Sequence, residues 1–368
     1  MSPATSLFDT PVLPLSAADH YEFKFIGEGA SNVVFEVTVR PSHPCDGQES
    51  RLMYLAGHLL RVQKDGTKAH SYGELQEYWE AVVKPLFEPE DLIQHQLIKI
   101  EDGAVIPRLN TVLAQVEDAR RPDFRGSRVA KAAYGMLVED MRERHPDDLT
   151  LEFKPKWLAQ SPNAPASAAR CRNCAREALK HHTKLNGYHT AQGATRSHRI
   201  LCPFDLLTCG SSPDALSNIV AHFSSLNPLI RPQTSVPAQY NRLIQWLQTN
   251  TMLPRLRAAQ LANDHSGPLC ADAHDPKFQL AMTLRDCTCF VRIPADPGLP
   301  VEAKLGDLDK KNWAAKLGYW QAIERRLIEG GYYESREVPR VETDCQLERG
   351  LQFPKDAKER GNRAETGH

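Results

Sequence analysis

Two lysines, Lys154 and Lys156, flank a proline in the middle of the chain. Side chains of an extended segment repeat their direction every second residue, so both ammonium groups are expected on the same side. Two cations held this close repel each other unless an anion lies between them. A multiply phosphorylated ligand would supply that anion, so the lysine pair favours phosphate chemistry over a surface role.

A glycine turn at residues 27–32, Gly-Glu-Gly-Ala-Ser-Asn, lies between two runs rich in β-forming residues. Glycine lets backbone N–H groups approach phosphate oxygens closely, although most such turns hold no phosphate. It is not a Walker loop, because no Gly-Lys-Ser/Thr follows. Arg61 stands on a predicted third strand, where kinase-like lobes keep a cation for the phosphates, whereas an isolated strand arginine is commonly a solvated edge residue.

The carboxylate candidates lie later in the chain. Asp307 and Asp309 are spaced to point to one side of an extended segment, as a magnesium site requires, although a solvated turn is the default reading of this spacing. Lys311 follows two residues on and favours the magnesium interpretation. Asp286 is a further candidate. Two other basic clusters could converge on the same polyanion or form solvated basic faces: Arg120, Arg121 and Arg125, and the helical Arg172, Arg176 and Lys180.

The nine cysteines are irregularly spaced and no secretion signal precedes them, which predicts reduced thiols. Cys171 and Cys174 form a CxxC pair that could bind zinc with His181 or His182. Because no second CxxC pair exists in the sequence, reduced helix cysteines are favoured over a structural zinc ion.

The length and composition of the chain predict an intracellular protein of two lobes or domains. Of 368 residues, 41% are hydrophobic and 25% are charged, which is ordinary for a protein with real cores. The net charge of −1 argues against a general nucleic-acid binder, and no apolar run approaches a membrane span. We expect a monomer in the nucleus or cytoplasm, without nucleic-acid or membrane partners.

The pattern of residues predicts a nucleotide-binding small lobe followed by a mixed region. The small lobe comprises a hairpin of residues 21–26 and 33–39, a strand at 58–62, a helix at 74–86 and a strand at 135–138. Predicted later elements are helices at 166–184, 216–223, 240–249 and 313–329, and a strand pair at 278–284 and 287–293. The tail from Arg349 is predicted to be disordered.

Together these segments resemble the inositol-pentakisphosphate 2-kinases, most closely the fungal members, over about residues 20–325. The matching blocks, in the family's order, are residues 27–32, 60–64, 121–125, 152–156, 171–180, 202–206, 285–287 and 307–311. The resemblance implies an α+β fold, two-lobed and distantly protein-kinase-like, with an inositide-binding region in the C-lobe. The N-lobe would span residues 1–139, the C-lobe 140–345 and a disordered tail 346–368.

The resemblance further implies transfer of the ATP γ-phosphate to the 2-hydroxyl of inositol 1,3,4,5,6-pentakisphosphate, giving inositol hexakisphosphate (phytate), with Mg²⁺. ATP would be held by Gly27, Glu28, Gly29, Ala30, Asn32, Arg61, Asp140 and Glu152. The inositol phosphate would be held by Arg125, Lys154, Lys156, Lys180, Lys311 and Tyr319. The catalytic groups would be Asp286, Asp307 and Lys154, with Asp307 and Asp309 at the metal.

The chain also departs from the family pattern. The asparagine-rich substrate stretch is faint at residues 227–231, Ala315 replaces an arginine of plant members, and their zinc-binding insertion is not recognisable around residues 253–274. The alternative function is a non-catalytic inositol polyphosphate receptor with a kinase-like fold. A receptor needs the cations but not Asp286 and Asp307, which favours the enzyme. A basic-patch protein for RNA or phosphoinositide membranes fits less well, because net positive charge and aromatic stacking motifs are missing.

Overall fold

The computed structural model describes residues 12–13, 21–39, 55–100, 103–187, 201–226, 238–272 and 274–350. The fold is α+β, and the chain divides into two compact units. The first comprises Met1–Arg142 and Lys304–Asn312, and the second comprises Glu143–Ala303 and Trp313–His368. A nine-residue piece late in the chain therefore belongs with the N-terminal half.

The first unit is built on a six-stranded sheet of order β1-β5-β6-β4-β3-β2. The strands pair antiparallel except for β1, which runs parallel to β5. Their bounds are β1 Val12–Leu13, β2 Tyr21–Glu28, β3 Asn32–Val39, β4 His58–Gln63, β5 His95–Ile100 and β6 Tyr134–Glu139. The predicted hairpin, third strand and later strand at 135–138 are confirmed, whereas β5 was not predicted.

Two α-helices accompany this sheet among the residues that the structure describes. Helix α1, Tyr72–Tyr78, begins at a capping box in which Ser71 and Glu74 bind each other's backbone N–H groups. The predicted helix at 74–86 is not uniform, since α1 gives way to a π turn at Trp79–Val83 and a 3₁₀ turn at Lys84–Leu86 that contains a proline. Helix α2, Val105–Gln115, packs its buried side chains into the core beside the sheet.

The second unit combines a three-stranded sheet, of order β7-β8-β9, with eight helices among the described residues. The strands are β7 Leu149–Phe153, β8 Thr288–Ile293 and β9 Glu302–Gly306, and only the first two residues of β9 belong to this unit. The helices are α3 Arg172–Gly187, α4 Asp205–Thr208, α5 Pro213–Leu226, α6 Ala238–Thr249, α7 Met252–Asn263, α8 Gly267–Cys270, α9 Pro276–Leu284 and α10 Trp313–Glu329. The predicted helix at 313–329 is confirmed in full, and the other three predicted helices are confirmed with shifted ends.

The predicted strand at 278–284 is wrong, because these residues belong to helix α9. Asp275 caps the first turn by accepting the N–H of Lys277, and Pro276 occupies a first-turn position where a proline costs nothing. Six of the nine residues of the helix are buried, the polar Thr283 among them. A short and mostly apolar segment has too little periodicity to separate a buried helix from a buried strand.

Residues 346–350, which were predicted to belong to a disordered tail, are folded instead. Gln346 is buried and Arg349 pairs with the carboxylate of Asp205, so residues 346–350 form a turn on the second unit. Residues 351–368 lie outside the described residues. Among the helices that the structure describes, none combines the length and apolar character that crossing a membrane would require.

Candidate active site

Lys154 and Lys156 converge on the carboxylate of Asp286 in the second unit. The Nζ of Lys156 lies 3.0 Å from Oδ1 of Asp286, and the Nζ of Lys154 lies 3.5 Å from the same oxygen. Lys154 also donates to the backbone carbonyl of Asp286 at 2.7 Å. The anion expected between the two ammonium groups is thus, in this structure, a side chain of the protein itself.

The backbone brings Lys156 to this position by a turn rather than by a continuing strand. Strand β7 ends at Phe153, and Lys156 has a left-handed backbone with φ of 58°. A non-glycine residue in this region is uncommon and typically strained, and such residues cluster at functional sites. The side-chain amide of Gln260, which is fully buried, donates to the carbonyl of Lys156 at 2.9 Å and so holds the turn.

The electrostatics of this cluster prepare it for an anion. Burial lowers the pKa of Lys156 and outweighs the attraction of Asp286, while the nearby charges of Lys154 and Arg176 lower it further. An incoming phosphate would relieve this repulsion between cations, because each phosphate oxygen can accept from an ammonium group. The three side chains therefore form a site that can exchange an internal carboxylate for external phosphates.

Beside this cluster, Trp157 is flanked by two guanidinium groups. The guanidinium carbons of Arg172 and Arg285 lie 4.1 and 3.6 Å from ring centroids of the indole. Arg172 also pairs with the buried Glu324 at 2.6 Å, and Arg285 pairs with the buried Asp264 at 2.5 Å. Burial lowers the pKa of Arg285 to about 10 in spite of Asp264. Arg172, the first member of the predicted basic helix face, is therefore a structural cation.

The remaining members of that face are more accessible. Arg176 donates to the hydroxyl of Tyr319 at 3.2 Å, and this hydrogen bond lowers the pKa of the phenol. Lys180 is exposed and pairs with Glu177 one turn earlier.

Glu152, predicted to contact ribose, is exposed on β7 opposite Phe290.

In the first unit, the turn between β2 and β3 has room on its outer side. Gly29 donates to the carbonyl of Asn32 at 2.9 Å, which closes the turn, and Asn32 accepts from the hydroxyl of Tyr72 at 3.0 Å. A Cβ added at Gly27 or Gly29 would meet no atom within 4 Å. Ala30 is exposed at the tip. The turn can therefore present its backbone to a ligand.

The carboxylate of Glu28 faces inward, between two cations. Lys64 lies 2.7 Å from Oε2 of Glu28, and Arg120 contacts both carboxylate oxygens at 2.9 and 2.7 Å. All three side chains are at most 4% exposed. Burial alone would raise the pKa of Glu28, but the contacts with Arg120 and Lys64 outweigh it and the pKa is lowered. The carboxylate of Glu28 is thus engaged within the first unit, which leaves only the backbone of this residue available to a ligand.

Arg61 of β4 is paired with Asp309. The guanidinium contacts both carboxylate oxygens, one of them at 3.0 Å, and joins segments 248 residues apart. Burial opposes both charges, yet the pair raises the pKa of Arg61 and lowers that of Asp309. Asp307 is more exposed and has a left-handed backbone with φ of 56°; the Nζ of Lys311 lies 3.6 Å from its carboxylate. The two predicted metal ligands are therefore in different environments.

Asp140 and Arg125, the other two predicted site residues of this unit, contact residues close to them in the sequence. Asp140 accepts three contacts from the guanidinium of Arg142, and its backbone N–H donates to Gly57 at 2.9 Å. Arg125 donates to the backbone carbonyls of Arg120 and Asp118. Residues 227–231 lie outside the described residues.

Sequence reasoning missed Lys64 and Gln260, and it assigned Arg120 to a basic cluster for a polyanion. Arg120 is instead buried and pairs with Glu28 and Glu117. A buried role for a lysine or an arginine has no local signal in the sequence. Gln260 lies on α7, about a hundred residues from the turn that it holds. A contact between residues so far apart in the sequence leaves no signal in the residue pattern of either segment.

Comparison with known proteins places this chain among phosphotransferases. A family model described as inositol-pentakisphosphate 2-kinase matches residues 25–326. A protein of Yarrowia lipolytica named inositol-pentakisphosphate 2-kinase is 26% identical over 340 residues, covering 89% of this chain and 96% of the relative. One of the same name from Eremothecium gossypii is 32% identical over 179 residues, covering 48% of this chain and 53% of the relative.

Proposed function

Because the chain belongs to the inositol-pentakisphosphate 2-kinase family, we propose that it transfers the γ-phosphate of ATP to the 2-hydroxyl of inositol 1,3,4,5,6-pentakisphosphate. The product is inositol hexakisphosphate. The observation that carries this proposal is the cluster of Lys154, Asp286 and Lys156, which combines cations for a polyphosphate with a carboxylate for a hydroxyl proton. A site that only binds polyphosphate gains nothing from a carboxylate among its cations.

The cluster changes partners when substrate binds. Lys154 and Lys156 turn from the carboxylate of Asp286 to the more highly charged substrate phosphates, because charge-assisted contacts to phosphate are strong. This exchange leaves Asp286 with fewer cationic neighbours and raises its basicity. Asp286 then accepts the proton of the 2-hydroxyl as the new P–O bond forms. The lysines thus act in substrate binding and in preparing the base.

The first unit carries the groups for the nucleotide. The N–H groups of the turn at residues 27–32 and the guanidinium of Arg61 bind ATP phosphates. The strand–turn–strand–strand–helix order of this unit supports a nucleotide-binding lobe distantly like that of protein kinases, with Lys304–Asn312 folded onto it. The second unit supplies Lys154, Lys156, Lys180 and Tyr319 for the inositol phosphate.

Asp307 fits a magnesium ligand. Its side chain is 41% exposed, and a partly solvated carboxylate suits an ion that keeps several of its waters. Both oxygens of Asp309 are engaged by Arg61, so Asp309 fits less well as a direct ligand. Bound Mg²⁺ would neutralise charge on the ATP phosphates. Lys311, beside Asp307, adds a cation for substrate phosphate.

The test is phosphate transfer from ATP to inositol pentakisphosphate by the full chain, with the product position identified by NMR. Asp286→Asn keeps the shape and removes the charge, so kcat should fall by about a hundredfold or more. Binding of inositol pentakisphosphate, measured by calorimetry, should persist or tighten because the competing carboxylate is neutral.

Asp147→Asn, at an exposed aspartate of the same unit, is the matched control and should keep full turnover. Undiminished turnover in Asp286→Asn would exclude Asp286 as the base. Binding without any transfer by the wild-type chain would favour the receptor, an alternative that neither named relative supports.

A further inference from the structure

Four cysteines from three separate segments of the second unit meet in the core. Cys171 and Cys174 lie at the start of α3, Cys202 precedes α4, and Cys345 follows α10. All four are buried, and their sulfur atoms lie within 4.8 Å of one another. Cys202 is 31 residues and Cys345 is 174 residues from Cys171. The sequence showed the CxxC pair, and the fold adds the two ligands that it lacked.

We propose that these four cysteines bind one structural Zn²⁺ ion in a tetrahedral thiolate site. Zinc binds thiolate sulfur at about 2.3 Å, which places the sulfurs of a regular tetrahedron about 3.8 Å apart. The sulfurs of Cys171 and Cys202 are 4.0 Å apart. The sequence allowed His182 as a zinc ligand, but this histidine forms a hydrogen bond with the hydroxyl of Tyr332 at 2.6 Å. Cys202 and Cys345 supply the remaining ligands instead.

The surroundings suit an anionic site. The backbone N–H of Cys171 donates to the sulfur of Cys345 at 3.2 Å, and the N–H of Cys174 faces the sulfur of Cys171 at 3.5 Å. Amide groups at the start of a helix stabilise thiolates. Phe204 and Leu347 pack around the cluster and exclude water. Four thiolates around one divalent cation carry two negative charges, which these N–H groups partly offset.

Other uses of four cysteines fit less well. The cysteines are not joined as disulfides, and two disulfides would not require all four sulfurs to lie within 4.8 Å of one another. A [4Fe–4S] cluster holds each cysteine on a different iron and a [2Fe–2S] cluster divides the four between two irons, so both need a wider spacing of the sulfurs than a single ion does. Tetrahedral sulfur coordination of one ion therefore points to zinc.

The ion would fix the start of α3, the helix that carries Arg176 and Lys180. It would also tie this start to residues 202 and 345, in addition to the hydrogen bond from Asn173 to the carbonyl of Leu201 and the ion pair of Arg170 with Glu348. The site is thus structural, and it lies in the unit assigned to inositol phosphate binding.

The test measures metal content in the full chain, purified without chelators, by mass spectrometry of the metal. We expect about one zinc per chain. Protein produced in cobalt-containing medium should show the intense thiolate-to-cobalt charge-transfer bands and visible d–d bands of a tetrahedral four-sulfur site. Cys202→Ser and Cys345→Ser should each lose most of the metal. Cys209→Ser, at a buried cysteine outside the cluster, should keep it.

The wild-type measurements stand even if the cluster variants fail to fold. Wild-type protein without stoichiometric zinc and without cobalt–thiolate bands would overturn the proposal. So would stoichiometric iron in place of zinc, a cobalt spectrum of fewer than four thiolates, or full metal retention in both Cys202→Ser and Cys345→Ser. None of these outcomes bears on phosphate transfer, which is measured separately.

Discussion

Lys156 has a left-handed backbone and a partly buried ammonium group beside other cations. Each of these features costs stability, of the order of 1 kcal/mol for the backbone alone. Packing alone does not explain why a lysine has a strained backbone and a partly buried charge. Both features are expected of a lysine whose ammonium group must be directed at a bound anion. The strain at Lys156 is therefore best understood as part of phosphate binding.

Replacing Lys156 with Asn separates these two features. Asn tolerates a left-handed backbone, so the free energy of unfolding should stay within about 1 kcal/mol of wild type. The lost charge-assisted contacts are worth about 1.5–3 kcal/mol, which weakens inositol pentakisphosphate binding by about ten- to hundredfold. Calorimetry and urea unfolding measure the two effects, and Lys156→Arg controls for the charge. Unchanged affinity in Lys156→Asn would show that Lys156 does not contact the substrate.

At the scale of the element, the hairpin of β2 and β3 depends on the buried carboxylate of Glu28. Glu28→Gln removes the carboxylate that Lys64 contacts and leaves the buried Arg120 with Glu117 alone, so we expect a destabilisation of about 3–5 kcal/mol in urea unfolding. Glu22→Gln, at an exposed glutamate of the same strand, should change stability by less than about 0.5 kcal/mol. A small effect in Glu28→Gln would show that water already screens the carboxylate.

The pH dependence of this effect follows from the lowered pKa of Glu28. The carboxylate contributes its stabilisation above the pKa of the unfolded chain, near 4.5. The contribution is lost as pH falls through the lower pKa of the folded protein. The difference in stability between wild type and Glu28→Gln should therefore shrink in acid, and a constant difference would contradict the assignment.

The pair of Arg61 and Asp309 holds residues 307–312 against β4. A double-mutant cycle of Arg61→Ala and Asp309→Ala should give a coupling of about 1–3 kcal/mol in urea unfolding. The exposed pair of Lys84 and Glu80 on adjacent turns is the control and should give less than about 0.5 kcal/mol.

Nucleotide affinity distinguishes the roles within this pair. Arg61→Ala should bind ATP more weakly because it loses a phosphate contact, whereas Asp309→Ala should bind at least as tightly because Arg61 is released. If both variants bind ATP with the affinity of the wild type, the pair of Arg61 and Asp309 has a structural role only.

The extent to which the sequence predicts the fold and the candidate site differs from element to element. The hairpin, β4 and α10 were predictable because turn residues and apolar periodicity are local signals. Helix α9 was mistaken for a strand because residues 278–284 are mostly apolar and too few to show a helical period. The cysteine cluster was seen only in part, since Cys202 and Cys345 join the CxxC pair through the fold. The same holds for the anion between Lys154 and Lys156, because Asp286 is 130 residues away from Lys156.

At the scale of the molecule, most of the groups that we assign to nucleotide lie in the first unit and most of those that we assign to inositol phosphate lie in the second, with Lys311 of the first unit as the exception. The chain as a whole has a net charge of −1, so a polyanionic substrate is attracted by a local cluster rather than by the overall charge. Screening by salt should therefore weaken substrate binding through the few cations of the second unit and leave the fold unaffected.

Hydrogen exchange of the full chain tests this division directly, because a ligand protects the backbone that it orders. A non-hydrolysable ATP analogue with Mg²⁺ should protect peptides that contain the turn at residues 27–32 and strand β4. Inositol pentakisphosphate alone should protect peptides that contain Lys154, Lys156 and the N-terminal turns of α3. In the Lys156→Asn chain the second pattern should weaken while the first persists. Protection of the turn at residues 27–32 by inositol pentakisphosphate alone, without any at Lys154 and Lys156, would contradict the assignment of the two units.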